Sequence, residues 1–169
     1  MAEKDILFSS KLKHKGIFNF AAFYKFCYDW LEAETGLLLQ ESKYAEKLSG
    51  DMKEIDIEWN GFTKLTDYFR FDMKVTFKIL AMKQVEIVQD GKKIKTNEGQ
   101  VEMGVKGILT RDWQGAYEKS AFQKTLRTIY DKWLIPSRID QFEGKVIGDS
   151  DEFLGQAKAW LSLEGKERH

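Results

Sequence analysis

The sequence predicts an α+β fold: an antiparallel β-sheet of about five to seven strands, with an N-terminal helix and C-terminal helices packed on one face. Three observations predict it. From Tyr68 to Ile79 the chain alternates without a break. Phe69, Phe71, Met73, Val75, Phe77 and Ile79 are apolar, and Arg70, Asp72, Lys74, Thr76 and Lys78 between them are polar. That period of two belongs to a strand with one buried and one wet face. It argues against a parallel sheet buried on both sides, whose strands read as continuous apolar runs. The second observation is the hairpin signal Asp90-Gly91,. The third is that helical apolar spacing occurs towards the two ends of the chain, flanking the strand patterns. Burying the apolar side chains of the central strand contributes roughly 1.5–3 kcal/mol each, and ordering its backbone costs about 1–2 kcal/mol per residue. The two nearly cancel, so the strand needs a roof, and the terminal helices are the candidates.

In chain order, Asp5 to Lys15 reads as a short strand punctuated by Gly16, and Ile17 to Glu34 as a helix. On that helix Lys25, Asp29 and Glu32 form a narrow polar stripe. Phe20, Phe23, Tyr24, Cys27, Tyr28, Trp30 and Leu31 fill a broad apolar arc, with Phe18 and Phe26 at its margins,. An arc so wide predicts a core helix. A membrane-interface helix would carry a lysine-rich polar face instead. Gly36 fits a C-cap. Leu37 to Leu48 reads as extended, and Ser49-Gly50-Asp51 as a turn.

Glu54 to Trp59 alternates again, with Ile55, Ile57 and Trp59 inward and Glu54, Asp56 and Glu58 outward. Paired with the next strand across the connection Asn60–Asp67, this acidic row faces Arg70, Lys74 and Lys78. One register opposes Glu58 to Arg70, Glu54 to Lys74 and Asp56 to Asp72; another opposes Glu58 to Lys74 and Glu54 to Lys78. The alternation does not choose between them. Each cross-strand pair contributes roughly 0.2–1 kcal/mol, and the pattern reads as solvent-face sheet chemistry.

Val85 to Val88 reads as a further strand, followed by the Asp90-Gly91 turn and Lys92, Lys93, Ile94 and Lys95. Asn97-Glu98-Gly99 reads as another turn, and Val101, Met103, Val105, Gly107 and Leu109 as a last strand. Ser120 with Gln123 has capping-box spacing ahead of Phe122, Leu126, Ile129, Tyr130, Trp133 and Leu134. Pro136 kinks or ends that helix, and Ile139, Phe142 and Val146 continue its apolar spacing. Gly148 is expected to separate a final helix, begun by Asp149 and Glu152, striped by Phe153, Ala157, Trp160 and Leu161, and closed by Gly165.

The chain of 169 residues predicts a single domain, 1–169, with 43% hydrophobic and 14% aromatic residues, too apolar for disorder. A formal net charge of +0 provides no bulk field for nucleic acid or an anionic membrane, so nucleic acid is not the expected partner. The start of the chain lacks a signal-peptide apolar core, and no run approaches the ~20 residues of a spanning helix. The single cysteine, Cys27, excludes an internal disulfide and fits a reducing, cytoplasmic setting.

Catalytic and metal chemistry find little support. The only histidines are His14 and His169, which with one cysteine leave no zinc ligand set,. Asp149, Asp151 and Glu152 lack the glycine and terminal glutamate of a calcium loop. Cys27 sits on the apolar arc, where a free thiol behaves as a small hydrophobe. There is no nucleophile elbow, phosphate loop or dinucleotide fingerprint, and no cofactor is expected. The lysines at 92, 93 and 95 read as a solvated hairpin tip. Trp113 and Tyr117, in the sheet-to-helix connection, either plug the end of the core or anchor a partner.

Two segments, KYAEKLSGDMKEIDIEW (Lys43–Trp59) and the tail from Glu118 to Leu161, resemble a family of small archaeal proteins from reduced-genome lineages. The resemblance implies a cytoplasmic archaeal protein and brings no activity or site residues with it. The order of elements is also similar to that of helix-grip lipid and hormone carriers, which curl a sheet around a helix and leave an apolar cavity.

The sequence therefore leads to two functional expectations. The first is a non-catalytic binding or assembly module with a protein partner or self-association, motivated by the missing catalytic constellation and the surplus of aromatic surface. The second is a carrier of an apolar small molecule, with Met73, Met82 and Met103 as adaptable wall residues. Phe18, Phe26, Trp113 and Tyr117 complete the candidate contacts.

Overall fold

The computed structural model describes residues 2–115, 125, 128 and 136–166. Its elements are β1 (Glu3–Phe18), α1 (Phe20–Thr35), β2 (Leu38–Ser49), β3 (Met52–Lys64), β4 (Phe69–Gln89), β5 (Lys92–Arg111) and α2 (Pro136–Lys166). The strands form one five-stranded sheet in the order β1-β5-β4-β3-β2, antiparallel at every pairing. Three hairpins join β2 to β5 in succession, and α1 carries the chain from one sheet edge to the other.

The inward row of β4 is buried throughout: Phe69, Phe71 and Phe77 are 0%, 0% and 2% exposed. Ile55, Ile57 and Trp59 of β3 and Val101, Met103, Val105 and Leu109 of β5 continue this face. Both helices roof it. Phe23 of α1 sets its ring edge-on to Phe77 at 6.0 Å and meets Trp160 of α2 at 5.4 Å. Phe69 and Trp30 reach Phe142 and Phe153 of α2. Gly107 is the window that lets α2 approach β5. A Cβ there would collide with Ser150 Oγ and lie 3.1 Å from Val146 Cγ1.

Several local expectations are corrected. Gly16 does not end the first strand, because β1 runs through it to Phe18, paired with β5 along its length. The helix starts at Phe20 rather than Ile17. Asn19 caps it, accepting the Ala22 amide at 3.0 Å, while Gly36 closes it at φ 72° as expected. Val85–Val88 is not a separate strand and Asn97-Glu98-Gly99 is not a turn. Both lie inside the β4–β5 ladder, where a bulge between Leu80 and Lys83, with Ala81 at φ 52°, shifts the register and lets pairing resume,. The Asp90-Gly91 turn forms with both residues at positive φ, as a two-residue hairpin with this twist requires.

Neither register considered for β3 and β4 occurs. Asp56 faces Lys78, Glu58 faces Thr76 and Lys64 faces Arg70. The short turn sets this offset: Thr66 Oγ1 accepts the amides of Tyr68 and Phe69, and the Leu65 amide donates to the Phe69 carbonyl. Gly148 does not divide the C-terminal helix. α2 is continuous from Pro136 across Gly144, Gly148 and Gly155. A glycine costs only about 1 kcal/mol in a helix interior. The stripe Ile139, Phe142, Val146, Ser150, Phe153, Ala157 and Leu161, packed on the sheet, outweighs it. Asp149 is accordingly no cap; it binds Lys145 one turn earlier at 2.9 Å. The helix expected over Ser120–Leu134 lies outside the described residues, apart from helical Thr125 and Thr128. Among the described residues no helix is long and apolar enough to cross a membrane.

Candidate functional site

The inward residues of the sheet make the core, and the outward ones make an open surface. By register, the outward residues of β1 include Lys11, Lys13 and Lys15, beside Lys106 and Glu102 of β5. Next come Arg70, Asp72, Lys74 and Lys78 of β4, then Glu54, Asp56 and Glu58 of β3, then Lys43 and Lys47 of β2. Basic side chains outnumber acidic ones on this face. The helix layer is the reverse: α1 has Lys25 against Asp29, Glu32 and Glu34, and α2 has more aspartate and glutamate than lysine and arginine. Among the described residues, a net charge of +0 for the chain thus goes with a separation of charge between the open face of the sheet and the two helices.

Some of the basic groups are partly neutralised. Lys74 binds Glu58 at 3.0 Å, Arg70 binds Asp72 at 3.1 Å and Lys11 approaches Glu102 at 3.6 Å. Lys13, Lys15, Lys43, Lys47, Lys78 and Lys106 have no ion-pair partner among the described residues. The excess positive charge therefore concentrates along β1, β5 and β4.

The face is furrowed where β5 has a glycine. A depression of about 230 Å³ is lined by Ser9, Lys11, Lys74, Thr76, Gly104 and Lys106. A second, of about 220 Å³, shares Lys11, Thr76 and Gly104 and extends over Lys43 and Lys78 together with the acidic Asp56, Glu58 and Glu102. A Cβ on Gly104 would stand 2.8 Å from Thr76 Oγ1 and 3.7 Å from Lys11 Cγ, so the glycine is what keeps the furrow open. A third depression, of about 390 Å³, lies at the far end between Lys4, Asn60, Phe62, Arg70 and Ile108.

The free edges differ. β2 is exposed along almost its whole length, and such an edge invites pairing with another chain. A bulge between Glu41 and Lys43 and the outward Lys43 and Lys47 blunt it, because bulges and lysines are the usual guards against edge pairing. On its inner side Tyr24 donates to Glu41, Tyr44 donates to Glu46 at 2.7 Å, and Trp59 Nε1 donates to the Tyr24 hydroxyl. Burial and then the Glu41 carboxylate push the Tyr24 phenol up to about 12,.

The sequence candidates sit elsewhere. Phe18, Met73, Met82 and Met103 are buried at 0%, 1%, 6% and 0% exposure, packed into the core. Phe26 stacks on Trp160 at 6.0 Å. Trp113 plugs the end of the sheet: its Nε1 donates to the Thr66 carbonyl at 3.0 Å, with the Arg70 guanidinium 5.7 Å from its ring. Tyr117 lies outside the described residues. Cys27 is fully buried, which pushes its thiol up, away from thiolate chemistry,. Among the described residues no group of three His, Cys, Asp or Glu is placed to hold a metal ion. What the sequence reading passed over is the lysine-rich outer face. Its signal was the polar half of the same alternation, which acquires a collective charge only when five strands lie side by side. No protein-family model, curated protein or solved structure matches this chain.

Proposed function

We propose that this protein is a non-catalytic binding module whose working surface is the open face of its sheet, and that its ligand is polyanionic. The observation that supports this is the separation of charge: a furrowed basic face on one side of the sheet and an acid-rich helix layer on the other. A field of one sign concentrates an oppositely charged ligand even when the whole chain is neutral. Six open-face lysines without an ion-pair partner among the described residues leave charge available to it.

The other readings have less support. An apolar carrier needs space between sheet and helices. There Phe77 lies against Phe23, Tyr24 and Trp59, at centroid distances of 6.0, 6.5 and 4.8 Å. Assembly through the β2 edge meets the bulge and the two lysines. The likeness of Lys43–Trp59 and of the tail to small archaeal proteins carries no activity. It agrees with a cytoplasmic setting, as does a single buried thiol.

Heparin chromatography near neutral pH tests the reading with a generic polyanion. The protein should be retained and elute with salt, and Lys11→Glu/Lys106→Glu should elute earlier, while Glu152→Lys on α2 leaves elution unchanged. Flow-through of the unmodified protein at low salt would remove the proposal.

A further inference from the structure

We infer that the ligand of the open face is a single strand of nucleic acid, held by its phosphodiester backbone rather than by its bases. This rests on the binding reading above and adds the class of ligand. The charge is arranged as a track. Lys11, Lys13 and Lys15 project from one strand at intervals of about 6.6 Å, and Lys106, Lys74 and Lys78 stand on the two strands beside them, each about 4.8 Å further across,. A ladder of cations fits a linear polyelectrolyte better than a point anion. At its middle, Gly104 opens the furrow and the hydroxyl residues Ser9 and Thr76 line it, so a phosphate seated there meets lysine ammonium groups and neutral donors together.

The same face makes base readout a minor term. Proteins that read or stack bases present aromatic rings on the sheet. Here the one aromatic residue lining the furrow, Phe77, turns its ring into the core and is 2% exposed, and Phe62, the aromatic residue at the far end, lies under the Arg70 guanidinium at 5.2 Å. The apolar side chains of this face lie at its two ends, Ile6, Ile108 and Phe62 at one and, by register, Leu80, Val85, Ile87 and Ile94 at the other. The charged centre therefore offers nothing to insert into a bilayer. An extended acidic peptide would need a free edge for its backbone; the β2 edge is guarded, and the β1 edge has α2 packed against it. The sequence expectation against nucleic acid rested on zero net charge, on the missing base-stacking motif and on the inward placement of Phe69, Phe71 and Phe77; separation of the charge removes the first reason, and a ligand held by its phosphates does not need the other two.

The test is fluorescence anisotropy of the full chain with labelled oligothymidylate and oligoadenylate of ~16 nucleotides, across a salt series. Phosphatidylserine–phosphatidylcholine vesicles and polyglutamate run in parallel. Saturable binding is expected, with log Kd changing with log salt by about 0.7 per phosphate contacted, or about 3 for four contacts. The two oligonucleotides should differ less than ~threefold. Lys13→Glu/Lys106→Glu should weaken binding at least ~tenfold, with an unchanged thermal melt, and Lys25→Glu on α1 should leave it unchanged. If heparin retains the protein but neither oligonucleotide binds, or only vesicles or polyglutamate do, this inference is overturned and the binding reading stands. Oligonucleotide binding that ignores the Lys13/Lys106 reversal overturns it as well. Failure of every polyanion overturns both.

Discussion

The two faces of the β-sheet are made by the same five strands, residue by alternate residue, and they obey opposite rules. On the inner face every neighbour is specified. Phe77 meets Phe23, Tyr24 and Trp59 within 6.5 Å, and Gly107 leaves room for one helix at one position. On the outer face lysines stand in water, with ion pairs open to solvent on at least one side. Packing energy resides on one side and electrostatic potential on the other. The first tolerates little change in shape. The second should tolerate changes in shape and respond to changes in sign.

Adjacent residues give the largest test of that contrast. Phe77→Ala should cost about 3–5 kcal/mol in denaturant unfolding, because it empties the centre of the aromatic cluster. Thr76→Ala, one residue away on the open side, should stay within about 0.5 kcal/mol. Equal losses would mean that the outer face is packed too. The two β5 glycines repeat the comparison more gently. Gly107→Ala should cost about 1–3 kcal/mol by overpacking against Ser150 and Val146,. Gly104→Ala meets only the end of the Thr76 side chain at 2.8 Å and should cost under ~1 kcal/mol, while weakening polyanion binding by filling the furrow.

His14 sharpens the contrast by pH. It lies on the inner side of β1, edge-on to Phe18, and burial holds its pKa below the ordinary 6.5, against a smaller opposing hydrogen bond at Ile17,. With the folded pKa below the unfolded one, the unfolded chain takes up the proton first. Stability should therefore fall as pH drops below 6.5 and level off once the folded pKa is passed,. Thermal melts of His14→Gln should show a shallower fall over that window. The smallest effect belongs to Ser150, whose buried hydroxyl has no hydrogen-bond partner among the described residues. Ser150→Ala should be neutral or stabilising by up to ~1 kcal/mol; a loss of stability would reveal a partner.

Much of the inner face was legible in the chain. Alternation in Tyr68–Ile79 and Glu54–Trp59 named the buried side of β4 and β3, and the apolar arc of Phe23, Cys27 and Leu31 named the roof. The breaks were read less well. Gly16, Gly148 and Asn97-Glu98-Gly99 all look like punctuation, yet each lies inside an element, because a ladder or a packed stripe outweighs the preference of one residue. The Asn19 cap was missed because the apolar pattern runs on both sides of it. The candidate site was legible only as the polar half of the alternation; of the contacts expected instead, Phe18, Met73, Met82 and Met103 are core residues, and Tyr117 lies outside the described residues.

By itself the sequence determined which side the residues of Glu54–Trp59 and Tyr68–Ile79 take and what charge they bring, because alternation is a local property of the backbone. Tertiary structure alone decided which charges become neighbours. Strand offset depends on the Thr66 turn and on the bulge at Leu80–Lys83, and a field forms only where separate strands are brought to within a few ångströms of one another.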